Sequence, residues 1–144
     1  MPIQNLNLVY TLLCDDVRIE MGNKISLMGV FQNIMVDKLP VSLIKFAVIN
    51  HWQGEGTYRT EVRILSPDRR SLVVTSQPTP IELAPGGFTD NVSFFINVVF
   101  PLAGTYWVQT LADEVLIQEV PLIVTDAGGI GPLQPPEEVS ERIN

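Results

Sequence analysis

The sequence predicts an all-β domain, an immunoglobulin-like antiparallel β-sandwich of about eight or nine strands with a C-terminal tail. Three observations point there. Apolar residues alternate with polar ones over short segments, turn residues recur about every 8–12 positions, and no helical apolar period runs beyond about two turns. The sandwich is expected over 1–125 and a Gly/Pro-rich acidic tail over 126–144.

The first strand is read over 6–14, with Leu6, Leu8, Tyr10 and Leu12 on one face, and is expected to end at Asp15-Asp16, which favour turns that bond their own backbone. Gly22-Asn23 is the next turn, followed by a long β-prone segment from Lys24 to Val36. Gly29 inside it marks a bulge or a close backbone approach. Ile44 to Trp52 places Ile44, Phe46, Val48 and Trp52 on one parity, and Gly54-Glu55-Gly56 is expected to close that strand. Tyr58 to Ile64 alternates best, which predicts one wet face. Ser66-Pro67-Asp68-Arg69 is a turn with Pro at its favoured second position, and Leu72 to Ser76 returns as a short strand. Residues 77–87 hold three prolines and two glycines and are expected to connect without much pairing. Asn91 to Phe100 is again a strand.

Pro101 to Val108 has the form of a corner that carries the chain between two sheets, with Tyr106 bonding back to the corner backbone. Behind it, Ala112-Asp113-Glu114 reads as a three-residue hairpin loop. That register pairs Leu111 with Val115 and keeps Leu116, Val120, Leu122 and Val124 inward. A two-residue loop would turn Glu119 inward opposite Val108, at a cost of roughly several kcal/mol if it stayed charged and unpaired. The outer face of the hairpin would then carry Trp107, Leu111, Val115 and Ile117, with Ile49 and His51 beside it. Such a face is too apolar to stay in water. The N-terminal strands, the tail or a second copy of the chain could cover it. Trp107, Leu111, Val115, Ile117, Ile49 and His51 are therefore the candidate interaction surface. In the tail, Pro136-Glu137-Glu138 suits a helix start, and Val139 and Ile143 would share one helical face as a docking pair.

Net charge is −7, from sixteen acidic against nine basic side chains, so nucleic acid and anionic membranes are expected not to be partners. A single cysteine, Cys14, allows no internal disulfide and suits a reducing cytosol. The N-terminal apolar run resembles a lipoprotein signal only superficially, since no basic residue precedes it and Leu13 stands before Cys14. A cytoplasmic protein is expected. His51 is the only histidine, and no G-x-S-x-G elbow, zinc ligand set or phosphate-binding glycine loop accompanies it. Asp15, Asp16 and Glu20 do not have the spacing of a calcium loop. No catalytic residue, metal or cofactor is expected.

LLCDDVRIE, NKISLMGVFQNI and PLAGTYWVQTLADEVLIQEVPLIV together resemble a group of short uncharacterised bacterial proteins. Those open with a Cys-acid-acid-Val stretch and close with a PGtY hairpin. The resemblance covers most of 1–125 and implies a β-sandwich and a bacterial cytosolic setting, with no site residues. The functional expectation is a non-enzymatic domain working through protein contact, as an oligomer or accessory subunit. The alternatives are a small-ligand or sugar binder using Trp52, Tyr58 and Trp107, and a hydrolase centred on His51.

Overall fold

The computed structural model describes residues 3–127 and contains eight strands: β1 (Leu6–Glu20), β2 (Lys24–Phe31), β3 (Asn33–Val36), β4 (Val41–Leu65), β5 (Leu72–Thr75), β6 (Thr79–Phe100), β7 (Gly104–Ala112) and β8 (Val115–Asp126). They form one sheet in the order β2-β1-β4-β7-β8-β3, with β5 and β6 also paired to β4. All pairs are antiparallel except β3 with β8, so the sheet is mixed rather than purely antiparallel. No helix among the described residues is long and apolar enough to cross a membrane.

β4 and β6 organise the rest. They pair with each other from Val41–Phe100 to Thr60–Thr79, with a register shift at Gly54/Gly56. The first half of β4 also pairs with β1, and the second half with β7 and β5. The strand therefore passes through two parts of a curled sheet. Gly54 permits the bend: its φ is 153°, and a Cβ there would lie 2.1 Å from the Asn5 carbonyl oxygen. The sequence expectation of a strand end at 54–56 is thus corrected to a bend within one strand. The 77–87 segment is likewise mostly strand, since β6 starts at Thr79 and Pro80 faces Arg59 in the ladder. β1 also runs on past Asp15-Asp16 to Glu20, in a two-stranded ribbon with β2. At Gly29 the close approach is to the Asp15 carboxylate, 2.3 Å from where a Cβ would stand.

The curl brings Phe46 and Val48 from the first half of β4 against Val62 and Ile64 from the second. Phe95, Phe100, Tyr106, Val108, Leu122 and Val124 complete the main core. A second cluster surrounds Trp52 with Leu6, Leu8, Ile81, Leu83 and Ala112. Asn50 is fully buried, and its amide is satisfied: Thr11 Oγ1 donates to Oδ1 (2.6 Å) and Nδ2 donates to Thr110 Oγ1 (3.1 Å). This bridge links β1, β4 and β7 through side chains with the partners that a buried amide needs.

Tyr106 is fully buried, and its hydroxyl donates to the Leu102 carbonyl (2.8 Å) and accepts the Leu102 N–H (3.1 Å). The tyrosine bond expected at the corner is present, but β6 and β7 on its two sides belong to one curled sheet and not to two. The hairpin differs from expectation. Ala112 pairs with Val115 around a two-residue turn, Asp113-Glu114, both at positive φ (47° and 66°). The register then shifts: Leu111 faces Leu116 but Thr110 faces Gln118, leaving Ile117 as the extra residue. Beyond this bulge Val108 faces Val120, and Glu119 stays opposite Gln109. One extra residue thus keeps Glu119 from turning inward opposite Val108, so the two-residue loop does not bury that charge. Leu116 consequently lies outward at 41% exposure instead of inward.

Candidate interaction surfaces

The outer face of the β7–β8 hairpin is covered by the chain itself. The Arg69 guanidinium, from the turn between β4 and β5, lies 4.2 Å from the Trp107 ring centroid. Its Nη1 pairs with Glu119 Oε1 (2.5 Å), which also accepts from Gln109 Nε2 (2.8 Å), while Arg63 Nε donates to Gln109 Oε1 (2.8 Å). Arg69, and to a lesser degree Gln109, holds the Glu119 carboxyl below the usual carboxylate range against the opposing effect of its partial burial. Leu111 is buried, Trp107 and Val115 are half-buried, and Ile117 packs on the Trp52 cluster. The sequence marks Ser66 to Arg69 as a turn, but only the fold shows that this turn lays a cation over Trp107.

Ile49 is fully buried beside Cys14 and Ala47, with Val17, Ile25 and Leu27 from the β1–β2 ribbon packed on them. It offers no free surface. Burial pushes the Cys14 thiol pKa up, and its Sγ donates to the Asp16 carbonyl (3.2 Å), so it behaves as a core side chain and not as a nucleophile. His51 is half-buried between two rings on neighbouring strands. Tyr10 stacks on it at 5.0 Å and 11°, Phe88 at 5.4 Å and 17°, and its Nδ1 lies 2.7 Å from Asp90 Oδ1. Partial burial, and then the Asp90 charge, raise the Tyr10 phenol pKa. The carboxylate that a hydrolase reading of His51 asks for is therefore present. Among the described residues, though, no Ser, Thr or Cys is hydrogen-bonded to the ring. Tyr10, Phe88 and Asp90 come to His51 only through the β1–β4–β6 register, which local sequence patterns do not reveal.

Trp52 is fully buried and Trp107 lies under Arg69, so Trp52, Tyr58 and Trp107 make no exposed aromatic row. No group of three His, Cys, Asp or Glu able to hold a metal occurs among the described residues. Val139 and Ile143 lie outside the described residues.

The uncovered surface lies elsewhere. From Phe88 to Phe100, β6 pairs with β4 on one side, and among the described residues no strand pairs with its other side. Along it Phe88, Phe94, Ile96 and Val99 are 48–60% exposed. Beside this edge lies a groove of 430 Å³ lined by Pro67, Leu72, Val73, Val99, Pro101 and Leu102, and a separate, more polar cavity of 340 Å³ is bounded by Thr75–Gln77 and Val92–Phe95.

Among solved structures, Pseudomonas fluorescens alkylpurine DNA glycosylase AlkC, bound to DNA containing an abasic site analog, is similar over 65% of this chain at 7% identity and a TM-score of 0.47. The likeness spans only 28% of that protein's chain. The sequence expectation about partners, which ruled nucleic acid out, is corrected on this finding: net acidity alone does not license that exclusion. A likeness this weak says nothing further of what the chain binds. No curated protein matches the sequence. The model of the family of unknown function DUF6941 matches residues 9–125, almost the whole described span, and the chain belongs to that family.

Proposed function

We propose that this is a non-catalytic binding domain, an accessory module that takes an extended segment of another protein along the open edge of β6. The supporting observation is the pairing of an unpartnered strand edge with an apolar groove. A free edge offers main-chain N–H and C=O groups at strand spacing, which an added strand satisfies and a compact ligand does not. Between Asn91 and Phe100 the edge carries no charged residue, so it lacks the Lys or Glu that commonly guards exposed strands. Leu72, Val99 and Leu102, each more than half exposed, would receive the apolar side chains at alternate positions of the incoming segment. The Tyr106 bond to Leu102 fixes the corner at one end of the groove and supports an immunoglobulin-like reading of the scaffold. A cytoplasmic, bacterial setting is proposed with it, from the lone reduced-type cysteine and the family resemblance.

Selection of displayed random dodecapeptides on the folded protein tests this. Enriched peptides should alternate apolar and polar residues, compete with one another and lose binding to a Val99→Asp protein. If the enriched peptides bind Val99→Asp undiminished, the edge is not the site.

A further inference from the structure

The bend in β4 creates a second concavity, separate from the β6 groove. It is a shallow cleft of 420 Å³ lined by Asn5, Leu6, Asn7, Gln53, Gly54, Glu55 and Gly86, within the size range of small-ligand sites. Its walls are fixed. The Glu55 N–H donates to the Asn5 carbonyl (2.9 Å), and the Tyr58 hydroxyl donates to the Glu55 carbonyl (2.7 Å). The side-chain polar groups of Asn5, Asn7, Gln53 and Glu55, by contrast, have no hydrogen-bond partner among the described residues. Three amides and a carboxylate thus line one cleft with their side-chain bonding capacity unused within the described residues.

The chemistry narrows the ligand. No Lys or Arg lines the cleft, so a phosphate or sulfate group would face Glu55 without a counter-charge. The lining sets polar side chains beside the apolar Leu6 and two glycines, which suits a molecule with both polar and apolar faces better than a wholly apolar one. It suits a neutral compound with many hydroxyls, each able both to donate to Glu55 or an amide oxygen and to accept from an amide N–H. Phe88 lies beside this lining, faces Gln53 directly across the β4–β6 ladder and stacks on His51, and with 60% of its surface still exposed it offers an apolar ring for the C–H face of a sugar. We infer that the cleft is a binding site for a neutral carbohydrate, with Asn7, Gln53 and Glu55 engaging hydroxyls and Phe88 serving as the platform. The aromatic side chain is not one of the three that the sequence offered for this role. The register places it there.

Nuclear magnetic resonance titration of the isotopically labelled full chain would test the site, with maltotetraose, cellotetraose and chitotetraose as neutral probes and a heparin tetrasaccharide as the anionic one. At least one neutral probe should shift the backbone amides of Asn5, Asn7, Gln53, Glu55 and Gly86, with a Kd on the order of 1 mM. Phe88→Ala and Gln53→Ala should each weaken it about tenfold. Should Gln53→Ala disturb the sheet, Asn7→Ala, whose exposed side chain makes no internal bond, gives the same reading. The site is refuted if no neutral probe moves these amides at about 20 mM, if heparin moves them more strongly, or if binding survives the variants. Val99→Asp should leave the sugar titration unchanged, which separates a failure here from a failure of the β6 groove.

Discussion

The outer faces of the β7–β8 hairpin and of the β6 strand are both rich in apolar side chains, yet the chain treats them differently. Over the hairpin, one turn contributes Arg69, which covers Trp107 and closes a polar chain through Glu119, Gln109 and Arg63. Over β6 the cover is thinner: the Lys45 ammonium, paired with Asp16 (3.0 Å), lies 5.2 Å from the Phe94 ring centroid, yet Phe94 and Ile96 stay 48% and 58% exposed. An apolar face by itself therefore does not identify a contact surface. What matters is whether another part of the same chain has been brought over it.

The largest expected effect tests the covered face. Trp107→Ala removes a half-buried ring and leaves Arg69 without its platform, and it should cost about 2–3 kcal/mol in urea unfolding. A cost below about 0.5 kcal/mol would mean that the hairpin's cover is ornamental and the face is free to bind.

Next in size is the acid sensitivity of the same network. Arg69 depresses the Glu119 pKa in the folded state, so the ion pair stabilises the fold above the ordinary carboxylate range and that contribution fades as pH falls through the lowered value. Stability of the wild type relative to Glu119→Gln should decline between about pH 5 and pH 3. Parallel curves for the two proteins would show that the pair contributes nothing.

How far the sequence reveals this arrangement depends on the range of the interactions involved. Tyr106 and its corner are legible because the bond to Leu102 spans four residues and uses a recognisable residue pattern. The hairpin is half legible. Its inward set of Val120, Leu122 and Val124 follows from alternation, but the bulge at Ile117 does not, because simple period-2 counting assumes a regular ladder. The 54–56 and 77–87 segments mislead for a related reason. Glycine and proline there bend and edge two long strands instead of ending them. The His51 stack, the Arg69 cover and the cleft at Asn7 and Gln53 arise from contacts between residues far apart in the chain, and no local pattern encodes them.

The tight turn offers a smaller test. Glu114 holds φ 66°, a conformation glycine adopts without strain, and its side chain is exposed. Glu114→Gly should stabilise the hairpin by about 0.5–1 kcal/mol, read as a raised thermal midpoint. Asp113 is the poorer choice because its carboxylate accepts the Arg59 N–H (2.9 Å).

The smallest expected effect on stability is the one that completes the comparison. Phe94→Ser and Ile96→Ser remove side chains that are already 48% and 58% exposed and lie outside the buried core clusters. Each should change unfolding free energy by no more than about 0.5 kcal/mol, against the 2–3 kcal/mol expected at Trp107. Both variants should nevertheless weaken selected edge-binding peptides by about tenfold, since an added strand would cover these rings and methyl groups. A large loss of stability with no loss of peptide binding would reverse the assignment: β6 would then be the face the fold depends on, and the hairpin the face left for a partner.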